Sequence, residues 1–143
     1  DNIYAYEGNN VISGGKGNDT IYAGSGNDVY RYELGDGLDI ITDDNGIDKI
    51  VFGSGISLAD LTFSADDDTL CIYINNDKTQ GIKITDQLDD YSSNKIETIE
   101  FADGSTFNLT SDNLTLTLSD GNDYLYGPDQ NITYIGNKGD DSI

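Results

Sequence analysis

The stretch Gly14-Gly15-Lys16-Gly17-Asn18-Asp19-Thr20-Ile21-Tyr22 fits the nine-residue pattern G-G-x-G-x-D-x-U-x at every fixed position, where U is a large apolar residue. The next nine residues, 23–31, repeat the pattern almost intact. A sequence that repeats every nine residues specifies a coil whose turns stack on one another, and not a globule.

The register of the pattern extends on both sides of this stretch. Counting Asp19 as position 6, the same position recurs with steps of nine, nine, nine, eleven and nine residues. Position 8 is large and apolar in all six frames, although only 36% of the chain is hydrophobic. Position 6 is occupied by Asp1, Asn10, Asp19, Asp28, Asp39 and Asp48, and position 8 by Ile3, Ile12, Ile21, Tyr30, Ile41 and Ile50.

Each repeat divides into a turn and a short strand. Six residues rich in Gly and Asn can adopt the positive-φ conformations of a tight turn. Three residues then form a strand whose middle side chain points inward, which explains why only position 8 must be apolar. Two repeats make one full coil, so turns one coil apart stack on the same edge. The expected pairs are Asn10 over Asp28, Asp19 over Asp39, and Asp28 over Asp48.

The stacked aspartates indicate a metal site. Asp side chains and turn carbonyls from successive layers converge as hard oxygen ligands, of which calcium accepts about six to eight. Without an ion, the carboxylates would repel one another at close range. Asp and Gly also occur as simple turn formers, but six turns in one register favour the metal site.

With these repeats the chain resembles the RTX, or haemolysin-type calcium-binding, family of secreted bacterial proteins. The resemblance covers about residues 1–51 and implies an all-β fold, a parallel β-roll. It also implies that the Asp at position 6 shares its oxygens between calcium ions bound in the turns above and below. The implied ligands are the side chains of Asp19, Asp28, Asp39 and Asp48, and turn carbonyls such as those of Gly14, Lys16, Gly17, Ala23, Ser25 and Gly26.

Two turns of this array depart from the pattern. Asn10 offers one neutral oxygen in place of a carboxylate, so we expect the site that it shares with Asp28 to be weaker. The turn 43–48 keeps only the later part of the motif, which makes calcium less expected at that end of the roll.

A second array begins near the other end of the sequence. Residues 119–126 fit positions 2 to 9 of the pattern, and residues 136–143 fit positions 1 to 8. Asp123 and Asp141 are one full coil apart, so we expect one calcium ion between them, with Gly136 contributing to the same site. Together the two arrays predict about three to five Ca²⁺ ions.

Residues 57–118 carry no nonapeptide register. Ser57 to Asp60 predicts a single capped helical turn, and the alternating stretches after it predict half-buried strands. This segment resembles the β-rich region that follows the repeats in many haemolysin-type proteins. We expect it to cover the open end of the roll, which would otherwise expose strand edges and an apolar layer. The predicted strands are 61–63, 70–74, 81–84 and 96–101.

The sequence therefore predicts three parts: a first β-roll at 1–56, a β-rich capping segment at 57–118, and the start of a second β-roll at 119–143. Because both chain ends fall inside a repeat, we expect the chain to be an excerpt from a longer array.

The charge of the chain predicts that it folds outside the cell. There are 27 acidic and 7 basic residues, a formal charge of −20, and such a chain is poorly compact without cations. Extracellular calcium modules have dissociation constants of about 10⁻⁴ to 10⁻³ M. We therefore expect a secreted or cell-surface protein that is unfolded in the cytosol. The resemblance further implies a parent toxin, adhesin or exoenzyme that type I secretion machinery exports.

Enzyme and nucleic-acid functions are disfavoured. The chain has no histidine, which removes the usual base of nucleophilic triads and the commonest transition-metal ligand. In so acidic a chain, Asp66-Asp67-Asp68 is most simply a solvated turn, and the negative field argues against nucleic acid. We therefore expect no enzymatic activity.

A carbohydrate-binding adhesin module is the alternative function. Tyr4, Tyr22 and Tyr126 occupy the outward position 9, where aromatic faces can stack on sugars. Glycans or a host cell surface would then be partners that the parent protein reaches. The plainer explanation is that outward tyrosines pack along the strand surface. Tyr30 and Tyr134, at position 8, are expected in the core.

Overall fold

The computed structural model describes residues 1–118, 120–123, 125 and 131–142. Within these residues the chain is built almost wholly from β-strands, with a short 3-10 helix at Leu58–Asp60. The first six strands alternate between two sheets, because each repeat supplies one strand and the turn before it crosses between the sheets. They are β1 (Asn2–Ala5), β2 (Val11–Ser13), β3 (Thr20–Ala23), β4 (Val29–Tyr32), β5 (Leu38–Thr42) and β6 (Lys49–Phe52).

The odd-numbered strands pair in parallel in one sheet and the even-numbered strands in the other. Val11 lies opposite Val29, Thr20 opposite Ile40, and Val29 opposite Lys49. The residue before each of these paired residues is at position 6, so the predicted stacking of Asn10 over Asp28, Asp19 over Asp39 and Asp28 over Asp48 is confirmed. The fold is the parallel β-roll that the resemblance of the repeats implies.

The position-8 residues fill the space between the two sheets. All but the first of them are buried, and their neighbours in the strands point outward, as the alternation along a strand requires. Ile3 is partly buried and packs against the same core. The buried members are Ile12, Ile21, Tyr30, Ile41 and Ile50.

The capping segment extends both sheets of the roll. Its strands are β7 (Leu61–Asp66), β8 (Thr69–Ile74), β9 (Asp77–Ile84), β10 (Thr98–Glu100) and β11 (Thr106–Asn108). β9 pairs in parallel with β5 and continues through antiparallel β8 and β7, while β10 pairs in parallel with β6 and antiparallel with β11. The last strands of the roll in each sheet, β5 and β6, are therefore paired with strands of the cap and are not exposed edges.

The predicted helical turn at the start of this segment is present. The carboxylate of Asp60 accepts hydrogen bonds from the backbone N–H of Ser57 at 2.8 Å and from its hydroxyl at 2.9 Å. These bonds lower the pKa of Asp60. No helix of the described residues is long and apolar enough to span a membrane.

A lysine ammonium organises the loop between β9 and β10. Nζ of Lys95 donates to the carbonyl of Gln87 at 2.8 Å and to that of Asp89. The Gln87 side chain in turn accepts the backbone N–H of Ile96 at 2.8 Å and donates to its carbonyl at 2.9 Å. The loop satisfies these polar groups with its own side chains, and it leads directly into Glu97.

Two further strands carry the coil spacing beyond the cap. β12 (Leu114–Thr117) pairs in parallel with β13 (Ile132–Ile135), with Leu116 opposite Tyr134, and β12 also pairs in parallel with β7. β12 lies in the part predicted to be capping segment, so the coil spacing begins before residue 119. Residues 119, 124, 126–130 and 143 of the predicted second roll lie outside the described residues.

Candidate metal centre

Aspartate side chains of the first roll are buried, which is rare for charged residues. An ionised carboxylate is costly to bury unless it gains hydrogen bonds, a proton or a cation. Within the described part of the chain, no lysine or arginine forms an ion pair with any of them. The buried members, each at most 7% exposed, are Asp19, Asp28, Asp36, Asp39, Asp43 and Asp48.

One oxygen of each position-6 carboxylate is held by the backbone of the preceding coil. The N–H of Asn10 donates to Oδ1 of Asp28 at 2.7 Å, and the N–H of Asp28 donates to Oδ1 of Asp48 at 2.6 Å. On the opposite side of the roll, the N–H of Asp19 donates to Oδ1 of Asp39 at 2.9 Å. The coil spacing thus produces two ladders of carboxylates along the roll.

The second oxygen of four aspartates has no partner. The Oδ2 atoms of Asp19, Asp28, Asp43 and Asp48 are buried and accept no hydrogen bond. Buried polar atoms are normally satisfied, so these four require an explanation. Carboxylate oxygens that converge between stacked turns are the hard ligands that calcium prefers. The residues present therefore fit calcium.

The turns 24–28 and 43–48 bring three carboxylates together. Asp28, Asp43 and Asp48 each offer an oxygen that lies within 4.8 Å of the other two. Burial, with the nearby charges of Asp48 and Asp28, raises the pKa of Asp43 to about 8. The structure thus assembles a fitting donor set at the end of the roll where the incomplete motif makes calcium least expected.

Asp43 itself was not among the ligands predicted from the sequence. It takes position 1 of its turn, where the pattern has Gly. The hydroxyl of Tyr30 donates to its Oδ1. Burial, and then the hydrogen bond to Asp43, raise the pKa of Tyr30 above its ordinary value, so the hydroxyl remains a donor. The sequence did indicate Asp43 as unusual, because it places a carboxylate where the motif has glycine.

The opposite ladder holds a second unpredicted aspartate, Asp36. Its Oδ2 accepts the N–H of Glu33 at 2.8 Å, and its carbonyl accepts the N–H of Gly17 at 2.7 Å. Burial raises the pKa of Asp39 to about 6, and the charges of Asp19 and Asp36 also raise it. This side of the roll therefore also concentrates negative charge between two turns.

The predicted carbonyl ligands lie in or beside the same turns. Gly14, Lys16 and Gly17 lie between β2 and β3, and Ala23 and Gly26 lie at the end of β3 and in the turn after it. Ser25 lies in the turn before β4, and its carbonyl already accepts the N–H of Gly8 at 2.8 Å. The role of all six carbonyls in metal binding stays a prediction.

Glycine allows the turns to approach this closely. A Cβ at Gly46 would lie 1.9 Å from the carbonyl oxygen of Gly26 in the preceding coil. A Cβ at Gly14 would lie 2.6 Å from Oδ2 of Asp19. Glycine at residue 46 therefore allows successive coils to touch. Glycine at residue 14 leaves space around Oδ2 of Asp19, a carboxylate oxygen that has no hydrogen-bond partner.

A ladder of asparagines runs beside the carboxylates and was not predicted. Oδ1 of Asn9 accepts the N–H of Asn27 at 2.8 Å, and Oδ1 of Asn27 accepts that of Ile47 at 3.0 Å. Oδ1 of Asn18 accepts the N–H of Leu38 at 3.0 Å on the other side. The sequence indicated this ladder through the repeated Asn at position 5, because each of these side chains accepts a hydrogen bond from the next coil.

Asn10 makes a different set of contacts from the aspartates. Its Nδ2 donates to the carbonyls of Tyr6 and Gly8 at 2.9 and 2.8 Å. An amide can satisfy carbonyls of its own turn in this way, whereas an ionised carboxylate cannot. Whether Asn10 also supplies an oxygen to a metal ion, as predicted, stays a prediction.

Glu97 of the capping segment extends one carboxylate ladder beyond the repeats. Its Oε2 accepts the N–H of Asp48 at 2.7 Å, the contact that a position-6 Asp makes elsewhere. Burial raises the pKa of Glu97. The sequence carried a signal for this residue, because Glu97-Thr98-Ile99 resembles positions 6 to 8 of the pattern as Asp19-Thr20-Ile21 fills them.

The second array repeats the geometry of the ladders. The N–H of Asp123 donates to Oδ1 of Asp141 at 3.2 Å, and the N–H of Asp140 donates to Oδ1 of Asn122 at 2.9 Å. A Cβ at Gly136 would lie 2.7 Å from Oδ2 of Asp141. The position-6 residues of this array are therefore brought together as predicted, and the calcium ion between them stays a prediction.

The outward tyrosines of the first roll stack on each other. The ring centroids of Tyr4 and Tyr22 are 5.1 Å apart, with 8° between the ring planes. Each ring covers one face of the other, as expected for tyrosines that pack along the strand surface. Tyr30 is buried as predicted and Tyr134 is partly buried, whereas Tyr126 lies outside the described residues.

Comparison with known families gives two matches to separate parts of this chain. The family described as RTX calcium-binding nonapeptide repeat (4 copies) matches residues 1–30. The family described as haemolysin-type calcium binding protein related domain matches residues 70–111. No curated protein matches the chain significantly. The first match covers the roll from β1 to the start of β4, and the second covers most of the cap from β8 to β11.

Proposed function

The chain belongs to the RTX, or haemolysin-type calcium-binding, family, and from this premise we propose that calcium folds it into a structural module of a larger secreted protein. Its repeats are calcium-binding repeats. The observation that carries the proposal is the set of buried Oδ2 atoms without partners on Asp19, Asp28, Asp43 and Asp48.

The charge of the protein makes calcium a folding ligand. The formal charge is −20, and the roll buries aspartates close to one another. Folding without a cation therefore requires carboxylates to be buried either with mutual repulsion or with bound protons. Because the stacked turns exist only in the folded chain, the free energy of calcium binding contributes directly to the free energy of folding.

Calcium concentration supports a place outside the cell. Extracellular calcium modules bind with dissociation constants of about 10⁻⁴ to 10⁻³ M. We expect the chain to be unfolded before export and folded after it, with type I secretion machinery acting on the parent protein. The activity of that parent, as a toxin, adhesin or exoenzyme, lies in other sites, and we propose no catalytic role for this chain.

A calcium titration of the metal-stripped chain tests the proposal. We expect circular dichroism to change from a disordered to a β-structured spectrum at millimolar calcium, with about three to five ions counted by calorimetry. Asp28→Asn should weaken the response, whereas Asp67→Asn, which removes the same charge from an exposed turn, should not. A chain that is already folded in chelator and binds one ion or none would overturn the proposal.

Carbohydrate binding through the outward tyrosines is the second candidate and has weaker support. Tyr4 and Tyr22 each cover one face of the other ring, which leaves less aromatic surface for a sugar. If they do bind glycans, the double substitution of Tyr4 and Tyr22 by Ser should abolish glycan binding and leave calcium binding intact. Absence of binding on a broad glycan panel would reject this candidate.

A further inference from the structure

The turn 43–48 contains a metal-binding arrangement that the repeat pattern does not describe. It lies outside both family matches, at residues 1–30 and 70–111. Its first residue is Asp43 in place of Gly, so it brings a carboxylate that the regular repeat lacks. Together with Asp28 and Asp48, Asp43 forms the only group of three such side chains within 4.8 Å among residues 1–118, 120–123, 125 and 131–142.

The three carboxylates are oriented in the same manner. Each Oδ1 has a donor: the N–H of Asn10 for Asp28, the hydroxyl of Tyr30 for Asp43, and the N–H of Asp28 for Asp48. Each Oδ2 is buried and has no partner. The three residues are 1% exposed, so water cannot readily satisfy these oxygens. Donors therefore hold one oxygen of every carboxylate and leave the other for a ligand.

We propose that Asp43 makes the space between turns 24–28 and 43–48 the tightest cation site of the roll, the one that binds the first ion and accepts a trivalent ion most readily. This inference rests on the proposed function, calcium binding by the stacked turns. Three carboxylates attract a cation more strongly than two, and the number of charged ligands is what sets calcium affinity among sites of similar rigidity.

The opposite side of the roll provides the comparison within the same molecule. Asp19 and Asp39 stack there in the same way, one coil apart. The nearby Asp36 has already committed its Oδ2 to the N–H of Glu33 at 2.8 Å. That side therefore offers two carboxylates in the ladder geometry, and it serves as the lower-charge reference for the site at Asp43.

Terbium and calcium titrations of the metal-stripped chain test the proposal. Asp43→Asn is compared with Asp44→Asn, which removes the same charge from the same turn at an exposed residue. We expect the wild-type chain and Asp44→Asn to bind a first ion on the order of tenfold more tightly than the following ions, and Asp43→Asn to lose this step. Circular dichroism at saturating calcium checks that each variant still folds.

A tyrosine substitution provides a spectroscopic readout that does not depend on the folding of Asp43→Asn. Tyr30 touches a proposed ligand, so its ring should sensitise the luminescence of the first terbium ion bound. Tyr30→Phe should lose the emission of that first equivalent, whereas Tyr22→Phe, on the outer surface, should retain it.

The outcomes separate this inference from the proposed function. A wild-type chain that binds several ions of equal affinity, with Asp43→Asn indistinguishable from Asp44→Asn, overturns the inference and leaves calcium-dependent folding standing. The inference is also overturned if the luminescence of the first terbium ion bound is the same in Tyr30→Phe as in the wild-type chain. A chain that binds no ions at all overturns both.

Discussion

The backbone N–H of Asp48 donates to Oε2 of Glu97 at 2.7 Å, although 49 residues separate the two. The bond continues the carboxylate ladder of the repeats into a segment that has no repeats. It therefore connects the cap to the same structure that gathers the calcium ligands, and the stability of one should depend on the other.

Replacing Glu97 tests this connection. Glu97→Ala removes the acceptor of the buried Asp48 N–H, and we expect the free energy of unfolding in saturating calcium to fall by about 1–3 kcal/mol. Glu97→Gln keeps an acceptor oxygen and should cost less. Chemical denaturation measures both, with Glu100→Gln as the control.

The control residue lies on β10, the strand that directly follows Glu97, but in a different setting. Glu100 pairs with Lys49 at 2.7 Å, and the two side chains are 37% and 39% exposed. Exposed pairs of this kind contribute about 0–1 kcal/mol. If Glu97→Ala costs no more than Glu100→Gln, the ladder does not couple the cap to the roll.

A single methyl group at Gly46 should prevent the coils from stacking. The added Cβ would lie 1.9 Å from the carbonyl oxygen of Gly26, and a backbone atom cannot move away easily. We expect Gly46→Ala to lower stability by about 3 kcal/mol or more. Gly15→Ala, whose Cβ meets nothing within 4 Å, isolates the cost of its φ of +82°. Equal losses in the two variants would contradict the contact argument.

Calcium affinity should rise with pH. The pKa of Asp43 is raised from 3.8 to about 8, so the metal-free fold holds a proton that the unfolded chain releases. Between these two values, stability without calcium should therefore fall as pH rises, because the folded state binds more protons. Calcium needs the ionised carboxylate, so its affinity should increase over the same range and its binding should release protons.

Calorimetry in two buffers of different ionisation enthalpy measures this proton release near neutral pH. Asp43→Asn should release fewer protons per calcium ion than the wild-type chain. A calcium affinity that is flat across this pH range would show that no buried carboxyl exchanges a proton for the ion.

Lys95 should stabilise the cap independently of calcium. Its ammonium donates to the carbonyls of Gln87, at 2.8 Å, and Asp89, and Lys95→Met would leave them without this donor. We expect a loss of about 1–3 kcal/mol and faster amide exchange at Ile96. Lys78→Met removes the same charge from an exposed residue of the cap and should change neither value. Comparable exchange rates in the two variants would argue against this role.

The sequence predicted those parts of the fold that depend on contacts one coil away. Asp28 stacks on Asp48 because a fixed repeat length brings equivalent residues together, so counting along the chain was enough. The pairing of β5 with β9 could not be read in this way, because β6, β7 and β8 intervene in the chain. Periodicity within each strand predicted that the strand exists, but not its neighbour.

The site was predicted in its repeating part and incompletely elsewhere. Asp28 and Asp48 were predicted as ligands, whereas Asp43 was missed because glycine is expected at its position. Glu97 was missed because no turn motif precedes it, although its two following residues match the pattern. Both omissions have one cause: each residue depends on a contact that the motif alone does not specify.

The two kinds of strand pairing also imply an order of folding. β7, β8 and β9 are antiparallel neighbours joined by turns at residues 67–68 and 75–76, and short loops close quickly at little entropic cost. The rungs of the roll join residues 18 or 20 apart. We therefore expect the antiparallel sheet of β7, β8 and β9 to form first and to serve as a template for the roll. The coils would then add to it one after another, beginning with β5 and β6 and ending with β1 and β2, so that the roll folds in the direction opposite to its sequence.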